Sequence, residues 1–221
     1  MDLRNIAAIG MACLTLASAR AEPPPELDWE LKRDRDGIAI YVAAVPGSDH
    51  KAVRSVMVLE GVTLGELAAL VRDPAACPDW ADLCKRAEVV EIVSETEMFV
   101  YTHNDLPWPV TDRDAIAHVV WDQDSDTGIV SMRATLVPDK MPESDGVIRI
   151  QYGRTSWTFH PLADGRIEVV SYAHIDPSGA TPAWLTNRLL VDSPHDTNRA
   201  MREIMHSDRY DGAAFDFIAE Q

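Results

Sequence analysis

The chain has little that would make it an enzyme of a common class. It lacks a G-x-S-x-G elbow, an H-E-x-x-H zinc helix and a glycine-rich phosphate loop, and its seven histidines are scattered singly. Only three cysteines occur in 221 residues, none at zinc-ligand spacing. Basic side chains are in deficit, 20 Lys and Arg against 36 Asp and Glu, for a net charge of -16. Such acidity argues against nucleic acid and against adhesion to anionic lipid heads. Beyond the first residues no apolar run approaches the roughly 20 needed to cross a bilayer, which predicts a soluble mature chain.

What is present begins with a secretory pattern. Arg4 precedes an apolar run over residues 6 to 16, and "ASARA" then offers small residues ahead of "EPPPE". Residues 1–21 read as a signal peptide cleaved after Ala21, leaving residues 22–221 as one domain in the periplasm or outside the cell. Two cysteines remain, Cys77 and Cys84 in "CPDWADLC". In an oxidising compartment this even pair is expected to form a disulfide. Residues seven apart on a straight helix lie about 10 Å distant, so the bond requires a break near Pro78.

Periodicity gives the rest. "IAIYVAAV" and "AVRSVMVLEG" flank a turn, and "TLGELAALVRD" has helical spacing with Thr63 as N-cap. The period-two runs "AEVVEIVS", "EMFVYTHN", "DAIAHVVWD", "GIVSMRATLV", "GVIRIQYGRTSWTFHPL" and "RIEVVSYAHID" then predict an antiparallel meander. The chain closes with the amphipathic stretch "AWLTNRLLVDSPHDTNRAMREIM", which Pro194 should kink or divide. An amphipathic helix across a curved sheet can pack tightly or roof a cavity.

Several segments, in this order, carry a family resemblance over residues 27 to 206: Trp29 with "GIAIYV", "CPDWADLCKRAEVVE", "PWPVTDRD", "YGRTSWTFHPL" and "HIDPSGATPAWLTNRLL". Together they resemble a START domain, the lipid-transfer domain related to the steroidogenic acute regulatory protein. The resemblance implies an α+β helix-grip fold, START/Bet v 1-like: a curved antiparallel sheet wrapped around a long C-terminal helix, with an internal hydrophobic cavity. It implies a carrier that binds a single sterol-like, hopanoid or acyl lipid and moves it through the periplasm. Such a carrier needs no cofactor and no metal, has no catalytic residue, works as a monomer and touches membranes transiently. The alternatives are a helix-grip enzyme of the polyketide cyclase or hydrolase type, using Tyr101, His103 or His174, and a lipid-sensing module.

The resemblance also points Arg113 of the "RD" pair at the polar head of the ligand. Alternation puts Arg113 on one face with Ala115 and Ala117. A buried cation is costly unless paired, so Glu97 or Glu95 is expected beside it; the competing reading is a wholly internal salt bridge, with Asp114 capping the turn outside. The apolar face Val130, Met132, Ala134 should line the cavity, with Trp184 and Leu185 in the roof and Trp157 in the core. For the strand over 166–175 the pattern does not choose between Ser171 with Ala173 and Tyr172 with His174. The C-terminal helix and the polar loop "VPDKMPESDG" are the expected movers that admit ligand.

Overall fold

The computed structural model describes residues 26–179 and 181–220. The expected signal peptide lies outside them. Ten strands form the fold: β1 (Glu30–Arg35), β2 (Ile38–Ala44), β3 (Lys51–Leu59), β4 (Cys84–Ser94), β5 (Glu97–Asn104), β6 (Arg113–Gln123), β7 (Val130–Leu136), β8 (Ile148–Arg149), β9 (Tyr152–Pro161) and β10 (Ile167–Asp176). They make one sheet in the order β1-β2-β3-β10-β9-β7-β6-β5-β4, antiparallel throughout except for β8, which lies parallel to the start of β6. The expected meander is present, with one departure: the segment read as a single strand over 146–162 breaks after β8. Pairing of β7 with β6 stops at Leu136 opposite Ala117, and β8 takes the place that β7 leaves.

Register puts the side chains of Ile38 and Ile40, Ser55 and Met57, Val169 and Ser171, Trp157 and Phe159, Met132 and Ala134, Val119 and Trp121, and Met98 on one face. Nearly all of these belong to the core. Helix α1 (Leu64–Arg72) closes one end of this inner face, burying Leu64, Leu67, Ala68 and Leu70. Its start is the expected one: the Thr63 hydroxyl accepts from the Glu66 N–H, and the Glu66 carboxylate reaches back to the Thr63 N–H. A second carboxylate, Glu220 from the chain's end, accepts from the N–H groups of Leu64 and Gly65. Phe215 and Phe217 come with it and sandwich the Arg72 guanidinium with Trp121.

The short helix α2 (Cys77–Trp80) ends at Ala81, Leu83 adopts a left-handed φ of 69°, and the chain enters β4 at Cys84. Cys77 and Cys84 are disulfide-bonded with their Cα atoms 5.9 Å apart. The break that permits the bond therefore follows Trp80; Pro78 sits in the first turn, where no intrahelical N–H is lost.

The C-terminal element is divided, as Pro194 requires. Helix α3 (Ala183–Asn187) runs into a π-helical stretch (Arg188–Asp192), in which the Ser193 N–H bonds the Arg188 carbonyl, and then into helix α4 (Ser193–Met205) with Pro194 in its first turn. A wide turn ahead of the proline accommodates its ring and missing donor. Helix α4 buries His195, Asn198, Met201 and Met205 in one stripe and packs on β2, β3 and α2.

The tail contact generates a stability prediction. A Cβ on Gly65 would lie 2.3 Å from the Ala213 carbonyl oxygen, backbone that cannot yield cheaply. Gly65→Ala should lower unfolding free energy by roughly 1–3 kcal/mol in urea titrations, whereas an open glycine such as Gly65 would be if the tail were undocked would gain stability from alanine.

Candidate functional site

The inner face is not uniformly sealed. Ile38, Ile40, Val130, Phe159 and Val169 are entirely buried where α1 and α4 close the sheet, whereas Val119, Met132 and Ala134 each keep 8% exposure in mid-sheet. Ala117, Trp157 and Ala173 are only partly buried against the same core. Small and flexible side chains thus gather over β6, β7 and β9, whereas the π-helical stretch packs on β2 and β3. Val130, placed by alternation with Met132 and Ala134, stands at the sealed end, paired across the sheet with Phe159. Trp157 packs edge-on against Trp80 with ring centroids 5.7 Å apart. Leu185 is fully buried in the roof, but Trp184 beside it is 46% exposed and faces outward. On β10, Ser171 and Ala173 are the inner residues, since Ser171 meets Ser55 at 2.6 Å. Tyr172 and His174 lie outside, against Trp29 and Tyr152 respectively.

Arg113 is buried at the opposite end of the inner face from α1. Among the described residues no carboxylate meets it. Its Nε donates to the Pro177 carbonyl at 3.1 Å, one terminal nitrogen to Ser178 at 2.8 Å and the other to Thr111, so three of its five N–H groups are held by backbone. Burial lowers its pKa. The expected partners are engaged elsewhere: Glu97 bonds His118 at 2.7 Å, and Glu95 lies near Arg72. Backbone carbonyls replace the carboxylate because the chain after β10 turns directly over the guanidinium, a turn shaped by Asp176 accepting from the Ser178 N–H.

Asp114 points the other way and is fully buried, not an external cap. It takes both arms of the Arg149 guanidinium at 2.8 and 2.9 Å. Arg149 also donates to the carbonyls of Pro138, Met141 and Pro142, which ties the 137–146 loop down on the outer face. That loop is therefore not at a cavity mouth. Tyr101, His103 and His174 also belong to the outer face, so none of the three faces the space under the helix. Among the described residues, one surface concavity of about 490 Å³ is lined by Asp105, Leu106, Pro107, Trp108, Val110 and Asp112, and another of about 300 Å³ lies beside Gly61 and Gly165. Neither is lined by the inner face.

Comparison with known proteins decides the family. A family model described as the START domain matches residues 25–209. The chain belongs to the START family. The START-domain structure of a STAR-related lipid transfer protein from Xanthomonas axonopodis is similar over 81% of this chain and 99% of that one, with 31% identity and a TM-score of 0.74. An uncharacterised Pseudomonas aeruginosa protein is 31% identical over 79% of this chain and 85% of its own length. The mouse phosphatidylcholine transfer protein is 26% identical over 72% of this chain and 75% of its own. Family membership accounts for the ten-stranded sheet and the long C-terminal element of this START domain.

Sequence reasoning missed two groups within the START fold. Arg149 gives no signal, because a lone arginine in "VIRIQ" reads as an exposed strand residue. The buried set Ser55, Ser171 and Asn198 was detectable only in part, by Asn198 falling on the apolar stripe of α4.

The loop before β6 carries a pH prediction. Burial alone would raise Asp112, but His103 Nε2 at 2.8 Å, the Leu106 N–H and Lys85 bring it down to about 2. A depressed carboxylate contributes stability above its unfolded pKa and loses it as pH falls toward the folded one. Asp112 should supply about 2 kcal/mol at neutral pH, lost between pH 4 and 2. Denaturant midpoints of Asp112→Asn and wild type should accordingly differ at pH 6 and converge toward pH 2.

Proposed function

We propose that this START domain binds one hydrophobic lipid between the inner sheet face and the C-terminal helix, and carries it unaltered through the periplasm. The carrying observation is a pair of features: a face of small and adaptable side chains, Ala115, Ala117, Met132 and Ala134, and a buried guanidinium, Arg113, at one end of it without a carboxylate. Apolar surface holds the body of the lipid, while the two spare N–H groups of Arg113 suit an oxygen-rich head. Sterol-like, hopanoid and acyl lipids all meet that description. The phosphatidylcholine named in the mouse relative fits the same pattern.

Catalysis finds no support in the placement of candidate acids and bases. Tyr101, His103 and His174 stand across the sheet from the proposed ligand. The cleavable leader read in the sequence and the Cys77–Cys84 disulfide both favour an oxidising compartment outside the cytoplasm. Membrane contact is assigned to Trp108, 91% exposed at the tip of the loop before β6, and to Trp184 on α3. Entry requires part of the roof to move. The π-helical stretch has no fully buried residue, whereas α4 has four, so α3 and that stretch open while α4 stays seated.

Native mass spectrometry of the mature protein purified from its source envelope should reveal one lipid per chain, extractable unchanged. In displacement of a fluorescent fatty acid, Arg113→Met should weaken binding of acidic lipids roughly ten- to a hundredfold, with circular dichroism confirming the fold. Trp108→Ser should slow transfer between vesicles with little effect on affinity. Recovery of hydrolysed or cyclised product would overturn the carrier reading.

A further inference from the structure

We propose that Asn198, Ser55 and Ser171 form a second polar subsite, one that recognises a hydroxyl group at the end of the lipid remote from Arg113. The inference rests on the carrier reading and adds the chemistry of the ligand's deep end.

The three side chains are joined across two strands and the roof. Asn198 is fully buried on α4, and its amide nitrogen donates to the Pro194 carbonyl at 2.7 Å and to the Ser55 hydroxyl at 2.8 Å. A carbonyl can only accept, so the Pro194 contact fixes which way round the amide lies. Asn198 Oδ1 is then aimed elsewhere, buried and without a hydrogen-bond partner among the described residues. The Ser55 and Ser171 hydroxyls are 2.6 Å apart, and either can donate to the other. Whichever does, one of their two protons is left undirected.

That count identifies the ligand group. The cluster offers one buried acceptor, Asn198 Oδ1, and one hydroxyl donor. A carboxylate would face Asn198 Oδ1 with no proton to give it, and an ammonium would leave the serine proton unused. Plain hydrocarbon would leave both unpaired, which buried polar groups seldom tolerate. A hydroxyl, donor and acceptor at once, satisfies both.

The position suits a ligand terminus. Helix α4 covers β2 and β3, and the cluster stands at its margin, because Ser171 belongs to the next strand, β10, and is only partly buried, as is its cross-strand neighbour Trp157. Pro177 and Ser178, which hold Arg113, lie six and seven residues further along the same chain, a span of about 20 Å in extended geometry. A lipid stretched along the apolar face can therefore present an oxygen-rich group to Arg113 and a hydroxyl to the cluster.

Two matched pairs of probes test this with the lipid-free mature protein: hexadecanoic and ω-hydroxyhexadecanoic acid, and cholesteryl methyl ether and cholesterol. The hydroxylated member of at least one pair should displace a fluorescent fatty acid at roughly tenfold lower concentration. The pair that discriminates tells whether the hydroxyl belongs to a chain or to a ring lipid. In the Ser55→Ala/Ser171→Ala double variant, which removes both hydroxyl donors and keeps the Asn198–Pro194 bond, the ratio should fall to about one with affinity for the unhydroxylated member unchanged and circular dichroism confirming the fold. Asn198→Leu should do the same where it folds. Equal affinities within both pairs, or a preference that survives the Ser55→Ala/Ser171→Ala double variant, would overturn the subsite while leaving the carrier reading in place. Failure of all four probes to bind would remove the carrier reading and the subsite with it.

Discussion

The buried ion pair between Asp114 and Arg149 fixes the end of the sheet at which the candidate site begins. Both side chains are withdrawn from water, and the two-armed contact satisfies charges that would be very costly alone. Removing either partner from such a pair typically costs 3–5 kcal/mol. The pair seats β8 beside β6 where β7 departs, and through Arg149 it folds the 137–146 loop onto the outer face. It also decides what Arg113 can do. Adjacent strand residues point to opposite faces, so Asp114 spends its charge outside and leaves its neighbour to face inward with only carbonyl dipoles for company.

The two ends of the inner face are closed in different ways. At one, α1, the Glu220 cap and the Phe215 and Phe217 rings form a plug of apolar contacts and backbone hydrogen bonds. Over β2 and β3, the roof is moored largely by polar contacts near the surface: Arg188 to both oxygens of Asp82, Thr197 to the Asp82 N–H, and Arg33 to Asp192. Half-exposed ion pairs contribute little and are easily replaced by water. The disulfide holds the loop bearing Asp82 in place, so the mooring point stays fixed while the moored segment can lift. Leu185 on α3 is fully buried, and such a movement must expose it.

Much of this was legible in the sequence, and for a uniform reason. Alternation on β6 and β7 assigned Ala115, Ala117, Met132 and Ala134 to one face because each strand has a clean period of two. The N-cap at Thr63, the Cys77–Cys84 bond and the division at Pro194 are local, set by residues within a few positions of one another. The failures are non-local. Arg113 was given a carboxylate because charge pairing is the commonest remedy for a buried cation; two of the three carbonyls that serve instead arrive from more than sixty residues away. Arg149, Glu220 and the Ser55–Ser171–Asn198 set likewise join distant segments, and only Asn198, on the apolar stripe of α4, is marked by periodicity. On β10 both faces carry polar and apolar residues, so only the pairing with β3 could choose between them.

The chain's acidity constrains how the proposed carrier would meet a membrane. With a net charge of -16, approach to an anionic surface is opposed over roughly a Debye length, about 8 Å at physiological ionic strength. Adhesion must then come from apolar contact at short range. Trp108 projects past the loop's own acidic residues, Asp105 and Asp112, both of which are partly neutralised by Lys85. One exposed tryptophan on the loop and another on α3 give a small apolar footprint set in a repelling surface. Binding of that kind is brief by construction, because the short-range attraction that holds the protein is limited and the longer-range field favours release. A carrier needs both: contact long enough for the roof to open, and departure before the lipid returns.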